Sequence, residues 1–189
     1  MTPTHSASHS AHGFAPEIFS SYSAFESELS IAGVSASELV QNFGSPLFVV
    51  DEGDFKARAI SFKDALNTHF GTHAGRVYYA SKAFLNKEIA RWVNDIGIGI
   101  DVASGGELAV ALAANFDPNR IEVHGNNKSE SEIARAIEIG VSKIVVDSHQ
   151  EIERVNRLAK SAGKHQAVLI RVTPGVEAHT HEFISTAHE

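Results

Sequence analysis

Strand-like runs begin near Val77, Ile98, Ile121, Ile144 and Val168, at spacings of 21, 23, 23 and 24 residues, each separated from the next by a helical pattern. This alternation constrains the chain more than any other feature, because parallel neighbours need a long crossover and a helix is the usual one. It predicts a parallel sheet, open or closed, covered by helices. Asn86 can cap a helix whose stripe is Ile89, Trp92, Val93 and Ile96, and Gly97 can end it in a left-handed conformation. Ser129 and Glu132 make a capping box ahead of Ile133, Ala136 and Ile137, and Gly140 stops that helix. Ser148 and Glu151 repeat the device before Ile152, Val155 and Leu158, with Gly163 as the stop. Gly105-Gly106 eases a turn into a helix through Leu108, Ala111 and Leu112. Further upstream, Leu47 to Asp51 reads as an additional strand. Between Ile31 and Phe43 the apolar spacing suggests a short helix capped by Ser35 or Ser37, ahead of a turn at Gly44-Ser45-Pro46. Trp92 and the phenylalanines are expected in the core.

Each strand delivers polar residues at its C-terminal end: Ser81-Lys82, Asp101 to Ser104, His124 to Lys128, Asp147-Ser148, and Arg171 to Thr173. Parallel α/β folds bind ligands at that rim. Alternation places Tyr78, Ala80 and Lys82 on one face, so Lys82 is expected to point inward and to be desolvated. Such an amine is a nucleophile able to form a Schiff base with a carbonyl cofactor. Asp101 and Asp147 could equally cap the following turns, and Arg171 could serve a salt bridge inside the barrel. No strand is followed by G-x-G-x-x-G or by G-x-x-x-x-G-K-[ST], which favours a closed barrel over an open nucleotide-binding sheet. His179, His181 and His188 lack ordered ligand spacing, so a mobile loop at the barrel mouth is expected there and no metal.

Hydrophobic residues make up 43% and charged residues 21% of the chain, and no run reaches the length of a membrane span, as expected of a soluble cytoplasmic domain. A net charge of -7 argues against nucleic acid and acidic membrane surfaces. The absence of cysteine removes disulfides and thiolate metal ligation. Residues 1–13 read as a disordered tail without the apolar segment of a signal peptide, 14–45 as a helical or irregular segment, and 46–189 as the barrel portion.

Tyr79-Ala80-Ser81-Lys82, Asp101-Val102-Ala103-Ser104-Gly105-Gly106-Glu107, His124-Gly125-Asn126-Asn127-Lys128 and the closing run from His179 to Glu189 resemble, in that order, the diaminopimelate decarboxylases, particularly their actinobacterial form. The first motif alone would indicate only the wider alanine-racemase-like group of pyridoxal-phosphate enzymes, which includes ornithine and arginine decarboxylases. The resemblance implies an alanine-racemase-like TIM (β/α)8 barrel and pyridoxal 5'-phosphate as cofactor. It also implies decarboxylation of meso-2,6-diaminopimelate to L-lysine, in a homodimer when complete. Lys82 matches the lysine that carries the cofactor, Asp101 and Glu107 match acidic positions near it, Arg171 matches a strand-end arginine near the cofactor, and His124 lies at the rim. A complete barrel needs roughly 250 residues, whereas the chain has 189. It therefore reads as an N-terminal portion, expected to be unstable or sticky and inactive alone, with a non-catalytic cofactor-binding remnant or an ornithine or arginine decarboxylase relative as the alternatives.

Overall fold

The computed structural model describes residues 22–25, 28–72 and 75–172, and the chain divides into two compact units, 1–75 and 76–189. The expected tail over 1–13 and the histidines at 179, 181 and 188 lie outside the described residues. In the first unit β1 (Tyr22–Phe25), β2 (Glu28–Ile31) and β3 (Val34–Ser35) form an antiparallel sheet in that order. Ala32 and Gly33 connect β2 to β3 with φ of 51° and 81°, the positive values that tight hairpin turns require. The helix expected between Ile31 and Phe43 is present, but the strands ahead of it are unexpected: strands of two to four residues are too short for their alternation to stand out from helical spacing. Ser35 caps α1 (Ala36–Phe43) by accepting from the Glu38 N–H at 3.1 Å, so Ser35 and not Ser37 begins the helix.

The expected strand at Leu47 to Asp51 is also corrected. Residues 47–50 have no strand partner among the described residues, and β-propensity reports the fit to a pleated neighbour more than a backbone preference. Asp51 instead caps α2 (Glu52–Phe70), its Oδ1 accepting from the Gly53 N–H at 2.7 Å and the Asp54 N–H at 3.3 Å.

The second unit is the β/α repeat. β4 (Tyr78–Ala80), β5 (Gly99–Val102), β6 (Ile121–Val123), β7 (Lys143–Val146) and β8 (Val168–Ile170) pair in parallel and in chain order. α3 (Lys87–Ile96), α4 (Gly105–Ala113), α5 (Glu130–Ile139) and α6 (His149–Ser161) are the crossovers. Asn86 caps α3 through the Ile89 N–H, and Gly97 and Gly140 close α3 and α5 with φ of 80° and 75°. Ile100, Val102, Ile121, Val123, Ile144 and Val146 alternate onto the buried face, where they share the core with Ile89 and Val93 of α3, Leu108 of α4, Ile133 and Ile137 of α5 and Val155 of α6. Burying each such isoleucine or leucine stabilises by about 1.5–3 kcal/mol.

The aromatic expectation is mostly overturned. Phe116 is buried, but Phe43, Phe48, Phe62, Phe70 and Phe84 are exposed and Trp92 is half-buried. The phenylalanine rings lie in α1, α2 and connecting segments and Trp92 lies in α3, all outside the sheet whose alternation defines the core. β8 also carries exposed apolar side chains, Val168, Leu169 and Ile170, followed by exposed Val172.

Candidate active site

The register sets one row across four strands: Ala80 opposite Asp101, Asp101 opposite Glu122, Glu122 opposite Lys143. Because successive residues alternate, this row faces away from the buried isoleucines. One step further along the strands the chain leaves the sheet at Lys82, His124 and Arg171. The backbone of the last two still continues the ladder, the His124 N–H donating to Val102 O at 2.8 Å and the Arg171 N–H to Val146 O at 2.9 Å. Lys82, Asp101, Ala103, His124, Gly125, Asn126 and Arg171 line a single cavity of about 300 Å³ at the C-terminal ends of the strands. All four residues singled out from the sequence as site residues are thus brought together.

Lys82 sits in a 3-10 turn, Ser81–Ala83, immediately after β4. Ser81 is buried and its hydroxyl donates to Glu107 Oε2 at 2.7 Å, while the Tyr79 hydroxyl donates to Phe84 O at 2.6 Å. The turn is fastened on both sides, and the lysine between these anchors projects into the cavity. The expectation of a desolvated Lys82 is corrected, since its side chain is exposed. A strand end at an open rim leaves the last side chain in water. Glu107 takes a different part from the one its position suggests. Its Oε2 also accepts from the Ala103 N–H at 2.6 Å, so it ties the lysine turn to the start of α4 and does not line the cavity.

Asp101 Oδ2 lies 3.4 Å from His124 Nδ1, and its Oδ1 is buried without a hydrogen-bond partner among the described residues. Gly125 has φ of 86°, and a Cβ there would stand 2.9 Å from Ala103 O, so only glycine allows the loop after β6 to approach the end of β5 so closely. Asp147 is exposed and absent from the lining; its N–H donates to Glu151 Oε2 at 3.2 Å. A second hollow, of about 360 Å³, lies between α4 and α5 with Leu108, Leu112, Ser131 and Arg135 in its wall. It has no amine and no buried unpartnered group, so the chemistry converges on the rim.

Two features escaped sequence reasoning. Glu151 does not complete a second capping box: Ser148 caps α6 through the Glu151 N–H, but the Glu151 carboxylate turns inward to Lys128 Nζ at 3.0 Å, and both side chains are 3% exposed. Two buried charges 23 residues apart leave no local signal. The second is Glu122, half-buried directly opposite Asp101. Burial, then the Asp101 charge, hold its carboxyl above the ordinary value of 4.5, against the smaller opposing effect of Lys143 and His124. A raised folded value means the protonated form is favoured in the folded state. The resulting cost is absent below the unfolded value and fully present once pH exceeds the folded one. Glu122→Gln should therefore stabilise the chain at neutral pH by about 0.5 kcal/mol, the scale of a like-charge cross-strand pair. The gain should shrink as pH falls through the carboxylate range. Denaturant titrations at several pH values would test this, and a constant or reversed difference would contradict it.

The arrangement defines a class: a parallel β/α protein with a single lysine turn facing a cationic and acidic rim cavity. The model for the pyridoxal-binding domain of pyridoxal-dependent decarboxylases matches residues 52–189, and the chain belongs to that family. It is 56% identical to diaminopimelate decarboxylase of Mycobacterium tuberculosis over 159 residues, 84% of this chain and 34% of that protein. Diaminopimelate decarboxylase from M. jannaschii, solved with L-lysine, superposes with a TM-score of 0.73 at 34% identity, covering 87% of this chain and 38% of the other. Lysine/ornithine decarboxylase from Vibrio vulnificus, at 22% identity and a TM-score of 0.61 over 72% of this chain and 35% of that one, shares the fold. The chain spans about a third of the length of the curated relatives it matches, and its β/α units are part of a TIM (β/α)8 barrel.

Proposed function

We propose that the protein carrying this chain is a pyridoxal 5'-phosphate-dependent carboxy-lyase that converts meso-2,6-diaminopimelate to L-lysine and carbon dioxide. The observation that carries the reading is the convergence of Lys82, Asp101, His124 and Arg171 on one cavity. The donor set suits the cofactor: an accessible amine for its carbonyl, a guanidinium for anionic groups, and an unpartnered carboxylate oxygen on Asp101 for a cationic centre. When bound, the cofactor supplies an electron-withdrawing ring that accommodates the charge left at the substrate carbon as the carboxylate departs.

In this reading the Lys82 ε-amine would hold the cofactor at its carbonyl carbon and would be freed when the substrate amine takes that place. Asp101 steadies positive charge beside it and fixes the His124 ring through Nδ1. Arg171 holds an anionic group at the end of β8. Residues 46–189 form the opening portion of the barrel. The complete protein is assigned to the cytoplasm as a homodimer, with no nucleic-acid or membrane partner, in keeping with a net charge of -7 and the absence, among the described residues, of a helix long and apolar enough to cross a membrane. The test is to supply the full-length gene product with pyridoxal phosphate and meso-diaminopimelate. One carbon dioxide should appear per L-lysine formed. Turnover of ornithine or arginine in its place would move the protein to the neighbouring decarboxylases, and no turnover of any of the three would leave a cofactor-binding remnant.

A further inference from the structure

We infer that Lys128, clamped by Glu151, is a positioning residue that holds the rim loop after β6 so that His124, Gly125 and Asn126 face the cavity; the inference rests on the cofactor reading of that cavity. Lys128 is 4% exposed, yet it does not touch the cavity. Its ammonium donates to Gly125 O at 2.5 Å, Val145 O at 2.6 Å and Glu151 Oε2 at 3.0 Å, which uses all three of its protons. These acceptors belong to three different pieces: the rim loop, β7 and α6. Arg154, also of α6, donates to Lys128 O at 2.8 Å, and the Asp147 N–H donates to the same Glu151 oxygen at 3.2 Å. One buried cation therefore fastens the loop to the next β/α unit.

The loop needs fastening. Gly125 at φ 86° and Asn127 at φ 52° both sit in the left-handed region, which is unfavourable for a side-chain-bearing residue. Residue 125 must also stay against Ala103 O. Glycine reaches that region freely, but Asn127 carries a side chain there and is held by the contacts around the loop. The Lys128 hydrogen bond to Gly125 O supplies that constraint within the loop. A surface lysine could not, because water would compete for each of its protons.

The test uses the full-length protein with the double variant K128M/E151M, which removes both charges at similar volume and so leaves no unpaired buried ion. Hydrogen exchange is followed at residues 125–128 and, as an internal reference, at Ile100 and Val123. Cofactor capture is followed by borohydride reduction with pyridoxal phosphate. The loop amides should exchange about tenfold faster while the reference amides are unchanged, and capture at Lys82 should slow by about tenfold. If the double variant fails to fold, Arg154→Met frees the loop from outside without burying a charge, and should accelerate the same amides by about threefold. Wild-type loop exchange and capture in a folded variant would overturn the proposal. Failure of the wild-type full-length protein to capture cofactor would count against the cofactor reading alone, since loop exchange is measured without cofactor.

Discussion

Lys82→Met should eliminate covalent capture of pyridoxal phosphate at the rim cavity. Borohydride reduction of the wild-type full-length protein with the cofactor should leave the label on the peptide containing Lys82, and the variant should show only the background of solvent lysines. The expected loss is complete, because the other lysines within reach of the rim are otherwise engaged or differently placed. Lys128 is buried with all three protons donated, and Lys143 lies below the rim in the row with Glu122. Lys82 differs from both in being exposed on a turn whose neighbours are fixed, Ser81 by Glu107 and Phe84 by Tyr79. Fixing the flanks orders the amine without removing it from water, so it approaches a carbonyl at low entropic cost. In the full-length protein the same substitution should lower decarboxylation by at least about a thousandfold, as loss of a covalent nucleophile does. Label on any other lysine in the wild type, or undiminished capture by the variant, would remove Lys82 from its role.

Legibility in the sequence followed the range of the forces involved. Capping and helix termination are local, so Asn86, Ser129, Ser148, Gly97 and Gly140 all appear where their spacing puts them. The β/α period is local as well, and with it came the rim, because the residue after a strand is located once the strand is. The period places Lys82, Asp101, His124 and Arg171 at the rim together with Asp147, and the family resemblance is what separates them from it. Strand pairing is not local. Leu47 to Val50 has strand composition without a partner, and the residues of β2 and β3 have partners with little strand composition. Burial is not local either: Phe48 is 94% exposed, whereas Glu151 is 3% exposed. Residue type misleads in both cases because the location of a side chain depends on what packs beside it.

Glu151 shows how one residue satisfies two readings of unequal range. Its backbone N–H receives the Ser148 cap as the local pattern requires. Its side chain is free to seek the stronger partner, and a buried ammonium offers more than a helix-terminal N–H does. At the equivalent position of α5, Glu132 stays in its capping box, accepting from the Ser129 N–H at 2.9 Å, and its other oxygen accepts from the Gly105 N–H at 2.8 Å. Those donors, the Ser129 N–H first, hold its carboxyl below the ordinary value. Identical local signals thus build a cap in one unit and an interior ion pair in the next, according to whether a lysine stands across the gap.

The second large effect concerns that ion pair. Lys128→Met alone should destabilise the chain by about 3–5 kcal/mol, the usual cost of stripping one partner from a buried pair. The methionine fills the lysine's volume, so little of the loss comes from a cavity. It comes from Glu151, whose Oε1 already lacks a hydrogen-bond partner among the described residues and whose Oε2 would keep only the Asp147 N–H. Adding Glu151→Met on top of Lys128→Met should restore most of the stability, since neither charge then remains to be solvated. Equilibrium denaturation of the two single variants and the double variant closes the cycle, and the coupling should be large and favourable to the wild-type pair. Additive losses, with the double variant less stable than either single one, would show that Lys128 and Glu151 are not coupled and would remove the ion pair as the source of the loss. Recovery in the double variant alongside faster exchange at residues 125–128 would separate the two contributions of the pair, leaving stability nearly unchanged while the loop that shapes the cavity is released.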